Sequence, residues 1–206
     1  IEKLLIEKGE IEEKHKGYLS SLLRVAGLVH DLGNPPFGHF GEEAIKNFFK
    51  DYFVKNANKG LTENLTELEK ADFTNFDGNV QTFRILSKLY YFGDEYGYNL
   101  SYPCLASIIK YPVNSLEGNK KDAPEISKHK FGYFVSEQKR YDVINGALGL
   151  DHKRFPIVYL LEAADDIAYS AADIEDGVKE GIISIQDVRE IFNQYLVDNK
   201  EQVIKY

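Results

Sequence analysis

Apolar positions recur at helical spacing along nearly the whole chain. Residues 18–32 place Leu19, Leu22, Leu23, Ala26, Val29 and Leu32 three and four apart, the signature of one helical face. Gly33 and then Pro35-Pro36 end that helix, because glycine suits a left-handed cap and proline forbids continuation. A second helix is expected from near Gly38 to about Val54, with Ala44, Ile45, Phe48, Phe49 and Phe53 as its apolar face. Residues 78–96 predict a long helix through Val80, Phe83, Ile85, Leu86, Leu89 and Tyr90. Further helices are expected at 103–110, 131–146, 155–177 and 184–204, and a charged, weakly amphipathic one at 1–16 is broken at Gly9. Thr62-Glu63-Asn64-Leu65 has the character of a capping box ahead of a short helix. Residues 113–130, rich in Gly, Asn, Pro and Lys, predict a long mobile surface loop. No stretch alternates strongly enough to specify a sheet. The expected fold class is all-α.

Composition narrows the setting. The 206 residues carry 25 Lys+Arg against 33 Asp+Glu, a net charge of −8. That size supports one large domain, or one domain and an appendage, with an ample core. The acidic balance argues against electrostatic attraction to duplex DNA, although it permits a local basic pocket. No apolar run reaches the roughly 18 residues a membrane-spanning helix needs, so no membrane partner is expected. One cysteine, Cys104, excludes a disulfide framework, and no signal peptide is present; the expected location is cytoplasmic. The chain has no Trp and no Met, and it opens at Ile1-Glu2-Lys3-Leu4-Leu5 as if inside a helix. It reads as a fragment of a larger helical protein, incomplete at both ends.

Three groups of residues bear chemistry. His30-Asp31 ends the first strong helix, where the backbone can turn and let an imidazole and a carboxylate converge on one cation. Such a pair suits a divalent first-row metal used for hydrolysis. Taken alone, the dipeptide reads rather as a local cap beside an ordinary, partly buried histidine. His39 and Glu42 stand three apart at a helix start and so share a face. A carboxylate beside an imidazole orients it and favours its protonated form, and a helix N-terminus favours an anionic ligand. Finally, Asp165, Tyr169 and Asp173 stand four apart as a polar stripe among alanines. Spacing alone would equally describe a solvent-facing edge.

The uninterrupted run His30-Asp31-Leu32-Gly33-Asn34-Pro35-Pro36-Phe37-Gly38-His39-Phe40-Gly41-Glu42 resembles the HD-domain deoxynucleoside triphosphate triphosphohydrolases, in particular their deoxyguanosine triphosphate branch. Glu162-Ala163-Ala164-Asp165-Asp166 resembles the segment that holds the family's last metal ligand. Asp77-Gly78-Asn79-Val80-Gln81 resembles its Glu-Gly-Asn-x-Gln stretch, with Asp in place of Glu, and Lys110-Tyr111-Pro112 its Lys-Tyr-Pro motif. The resemblance spans most of residues 19–177. It implies an HD-domain helical bundle forming a phosphohydrolase core across 1–206.

By that resemblance His30, Asp31 and Asp165 would be metal ligands, and His39 and Glu42 the catalytic pair. Asp165 is preferred to Asp166 because Tyr169 and Asp173 share its face. Asn79, Lys110 and Tyr111 would bind substrate with Tyr169 and Asp173, the last meeting the 3′-hydroxyl. The cofactor would be a divalent metal ion, Mn or Mg first, with Fe, Co or Zn also compatible. The implied substrate is a deoxynucleoside triphosphate, dGTP foremost, cleaved to deoxynucleoside and tripolyphosphate. A homo-oligomer and single-stranded DNA as effector are further implied partners. The family's fourth ligand is a histidine upstream of the pair; His15, in Glu12-Glu13-Lys14-His15-Lys16, lacks its context. Two other functions stay open on the residues: an HD-type 5′-nucleotidase or phosphodiesterase, and a non-catalytic nucleotide-sensing module.

Overall fold

The computed structural model describes residues 1–57, 59–89, 93–120, 122, 124 and 128–199. Every regular element among them is helical, so the all-α expectation holds. The chain divides into two compact units, residues 1–161 and 162–206.

In the first unit, α1 (Glu2–Glu7) is followed by α2 (Tyr18–Val29), which buries Ala26 and Val29. Glu2 joins them: its Oε1 accepts the N–H groups of Gly17 and Leu19, each at 2.9 Å, at the start of α2. Then come α3 (His39–Lys55), α4 (Leu61–Asn64), α5 (Glu67–Thr74) and α6 (Gly78–Arg84). After α7 (Tyr102–Ala106) the unit closes with α8 (Gln138–Leu148) and the start of α9 (Pro156–Lys179), where proline sits in the first turn at no hydrogen-bonding cost. The main core gathers Ala26 and Val29 of α2 with Phe83, Leu86, Leu105, Ile109, Tyr141, Ile144 and Leu161. A smaller cluster of Val80, Phe131 and Phe134 carries α6 on its other side.

Several boundaries differ from the sequence expectation. The capping box lies four residues later, where Thr66 and Glu69 cap α5 reciprocally; Thr62 is instead buried within α4. The helix expected over 78–96 ends at Arg84, gives one π-helical turn over Ile85–Leu89, and has turned by Gly97. Gly97 has φ +61°, and a Cβ there would strike the Leu86 carbonyl and the Lys88 nitrogen, so the chain folds back on this turn. Tyr90 lies outside the described residues. The helices expected at 103–110 and 131–146 shift to Tyr102–Ala106 and Gln138–Leu148. In the stretch expected as a loop over 113–130, Lys120 N–H donates to Lys128 O at 3.0 Å.

The second unit contains the rest of α9 and α10 (Ile185–Asp198), capped by Ser184 and Asp187. Between them Gly181 takes φ +71°, which closes the turn. Residues 200–204, expected to extend α10, lie outside the described residues.

Candidate active site

The end of α2 presents His30 and Asp31. His30 Nδ1 donates to the Gly27 carbonyl at 2.8 Å, since that oxygen can only accept. Nε2 then faces Asp31 Oδ2 at 3.3 Å. Two ligands at about 2.0–2.2 Å from one metal ion stand about 3.0–3.4 Å apart when adjacent, so this separation fits a shared cation. The backbone carbonyl on the far ring nitrogen is the usual orienting partner of a metal-bound imidazole.

The turn after this pair is fastened from α6. Gly33 N–H donates to Thr82 Oγ1 at 2.9 Å, and the Thr82 hydroxyl reaches His30 O at 2.8 Å. A Cβ on Gly33 would run into Thr82 N and Gly78 O, so only glycine lets the turn lie flat on α6. Thr82 is fully buried. Nothing in the local spacing marked it, because its partners are about fifty residues away in the chain.

At the start of α3, His39 Nδ1 meets Glu42 Oε2 at 3.0 Å. Glu42 Oε1 accepts the Gly78 N–H at 2.7 Å. One carboxylate therefore ties the first turn of α3 to the first turn of α6. Glu42 is almost sealed, with 5% of its side chain exposed, whereas His39 is 87% exposed. The pair thus consists of a fixed carboxylate and an imidazole open to a ligand.

Asp77 caps α6, accepting from Asn79 N at 2.9 Å and Asn79 Nδ2 at 3.1 Å. Its other oxygen meets Lys130 Nζ at 2.8 Å. Burial pushes the Asp77 carboxyl up, but Lys130 and the Asn79 hydrogen bonds outweigh that and hold it below its ordinary value. Burial pushes Lys130 down; Asp77, with smaller contributions from Glu42 and Tyr111, holds it above its ordinary value.

His39, Glu42, Asp77 and Lys130 border one cleft of about 580 Å³, whose lining does not include His30, Asp31 or Asn79. Its cationic side chains are Lys46, Lys50 and Lys130, and His39 and His129 add two imidazoles. Lys46 and Lys50 follow Glu42 at four and eight residues, a continuation of the stripe that helical spacing alone could have shown. His129 and Lys130 arrive from the 113–130 stretch, where no periodicity points to them.

Asn79 Nδ2 donates to Asp77, and Lys110 and Tyr111 follow α7 half-buried. Arg84 donates to Ser136 Oγ at 2.7 Å and approaches Glu137, a structural tie. In the second unit, Asp165, Tyr169 and Asp173 stand at successive turns of α9, Asp165 half-buried and the other two exposed. Among the described residues no three His, Cys, Asp or Glu side chains are grouped as a metal site, and no helix is long and apolar enough to cross a membrane.

The HD domain family model matches residues 9–76, which include His30-Asp31 and the His39–Glu42 pair. A deoxyguanosinetriphosphate triphosphohydrolase-like protein of Listeria innocua is 45% identical over 193 residues, 93% of this chain and 41% of the relative. One of Pseudomonas aeruginosa with the same name is 40% identical, covering 82% of this chain and 38% of its own. The deoxyguanosinetriphosphate triphosphohydrolase of Yersinia enterocolitica is 34% identical, covering 82% and 36%. The chain thus spans about two fifths of the length of these relatives. An HD domain thus occupies residues 9–76, and over most of its length the chain is similar to the deoxyguanosinetriphosphate triphosphohydrolase-like proteins.

Proposed function

We propose that this chain is part of the catalytic core of a metal-dependent deoxynucleoside triphosphate triphosphohydrolase, with dGTP as its foremost substrate. The observation that carries the reading is the Glu42 carboxylate. One oxygen is anchored on Gly78 N–H and the other on His39, whose ring stands exposed at the cleft.

In the proposed reaction a water oxygen bonds to the α-phosphorus and the bond from that phosphorus to the 5′-oxygen breaks. The 5′-oxygen leaves as the hydroxyl of the deoxynucleoside, taking its proton from the His39 imidazole, the attacking water gives up a proton to solvent, and tripolyphosphate is released. Glu42 holds the His39 ring through Nδ1, which presents Nε2 to the substrate. His30 and Asp31 would hold a divalent ion, Mn or Mg first, and such an ion polarises phosphate oxygens and activates water.

Asp165 is proposed as a further ligand, and Tyr169 and Asp173 as deoxyribose contacts, on sequence context alone. Lys110, Tyr111 and Asn79 are proposed substrate contacts on the same ground. Assembly as a homo-oligomer in the cytoplasm, with single-stranded DNA as effector, extends the proposal to the whole protein.

The test uses the full-length protein with each of the four deoxynucleoside triphosphates and Mn or Mg. Tripolyphosphate as product, lost in His39→Ala and in Asp165→Ala, supports the reaction and both assignments. Pyrophosphate or orthophosphate alone would replace it with a nucleotidase or phosphodiesterase. Nucleotide binding without any product would point to a sensing module.

A further inference from the structure

We propose that the cleft beside His39 is a polyphosphate arm, in which Lys46 and Lys50 hold the phosphates farthest from the bond that is cut. The inference rests on the triphosphohydrolase reading and deepens it, because it separates a polyphosphate substrate from a monophosphate.

The axis of α3 sets the scale. At 1.5 Å per residue, Lys46 lies about 10 Å and Lys50 about 16 Å beyond His39 along the helix. All three line the same cleft. Its volume of about 580 Å³ far exceeds what one phosphate fills. An orthophosphate at His39 could not also meet both lysines, whereas a chain of phosphates running along α3 could.

The carboxylates that share the lining do not oppose such an anion equally. Glu42 is committed to Gly78 N–H and His39, and Asp77 to Asn79 and Lys130. Both thereby orient donors. Glu43 is the third, and it meets Lys46 at 3.1 Å from a largely exposed position. Lys46 is 21% exposed and Glu43 60%, so a phosphate oxygen that takes the place of Glu43 as the partner of Lys46 returns that carboxylate to water and keeps the lysine paired. Lys50 stands one turn further on with its side chain at the cleft.

The experiment is calorimetric titration of the full-length protein, without nucleotide, using inorganic tripolyphosphate, pyrophosphate and orthophosphate as probes at fixed ionic strength. Tripolyphosphate is expected to bind most tightly and orthophosphate most weakly. Lys46→Ala and Lys50→Ala should each weaken tripolyphosphate by roughly tenfold to a hundredfold, the scale of one charged hydrogen bond, and leave orthophosphate unchanged. Lys50→Arg should restore the affinity. Lys55→Ala, on the same helix but outside the cleft, should have no effect, which separates contact from net charge. No measurable tripolyphosphate binding, equal affinity for the three probes, or binding indifferent to Lys46→Ala and Lys50→Ala would each overturn the proposal. Failure of the parent reading looks different: deoxynucleoside triphosphates are then not hydrolysed, while the lysine dependence of tripolyphosphate binding persists.

Discussion

Glu42 Oε1 accepts the backbone N–H of Gly78 at 2.7 Å, so the carboxylate that holds His39 is itself anchored to the first turn of another helix. This places the imidazole by a contact between residues 36 apart in sequence. A side chain positioned in this way loses little order when its ligand arrives, which is what efficient proton transfer requires.

The first prediction separates chemistry from folding. His39→Ala removes a largely exposed ring and should leave the melting temperature within a degree or two, while turnover falls by about 10²–10⁴, the range for a lost general acid. Glu42→Ala should do both kinds of damage, because it strips the buried Gly78 N–H of its acceptor. Thermal denaturation run beside steady-state kinetics distinguishes the two; equal melting losses would contradict the division of roles.

Gly33→Ala tests the turn behind His30-Asp31. The new methyl would meet backbone atoms of Thr82 and Gly78, which cannot rotate away. Overpacking of this kind costs about 1–3 kcal/mol, and the shift should also spoil the His30–Asp31 spacing. A lower melting temperature with weaker Mn binding is expected; a neutral outcome would mean the turn is not seated on α6 as described.

Lys130→Ala should cost roughly 2 kcal/mol at pH 7, less than a fully buried pair because Lys130 is half exposed. The loss comes from stranding the buried Asp77 carboxylate. Since Asp77 titrates below its ordinary value in the folded protein, this stabilisation is complete above about pH 4. It disappears as pH falls through the depressed value. Denaturation curves of wild type and Lys130→Ala should therefore converge in acid.

How much of this was legible in the chain depended on sequence separation. The His39–Glu42 pair follows from a three-residue spacing, and the helical face of residues 19–32 from its apolar repeat. The Gly78 anchor, the Thr82 clasp and the Asp77–Lys130 pair join residues 36 to 53 apart, which no local periodicity encodes. The overlong helix expected at 78–96 has a related cause. Its apolar repeat continues through Leu89, but the chain must return at Gly97 to pack against Leu86. Capping shifted from Thr62 to Thr66 because the acidic partner three residues on is Glu69, whereas position 65 is Leu.

Asp72 predicts a pH dependence of opposite sign. Burial pushes its carboxyl up to about 6, against the pull of hydrogen bonds from Ser115 and the Val135 N–H. A carboxyl raised on folding costs stability once it ionises, so that cost appears as pH rises from about 4 and is complete above about 6. Asp72→Asn has no such group. The melting temperature of wild type relative to Asp72→Asn should rise between pH 7 and pH 5, and an unchanged difference would contradict it.

The most direct test of the central claim is hydrolysis of dGTP by the full-length protein in ¹⁸O-labelled water, with the products resolved by mass spectrometry. Attack at the α-phosphorus predicts one labelled oxygen in tripolyphosphate and none in deoxyguanosine, with both products absent for His39→Ala. Label in orthophosphate or pyrophosphate, with a nucleotide left behind, would contradict it.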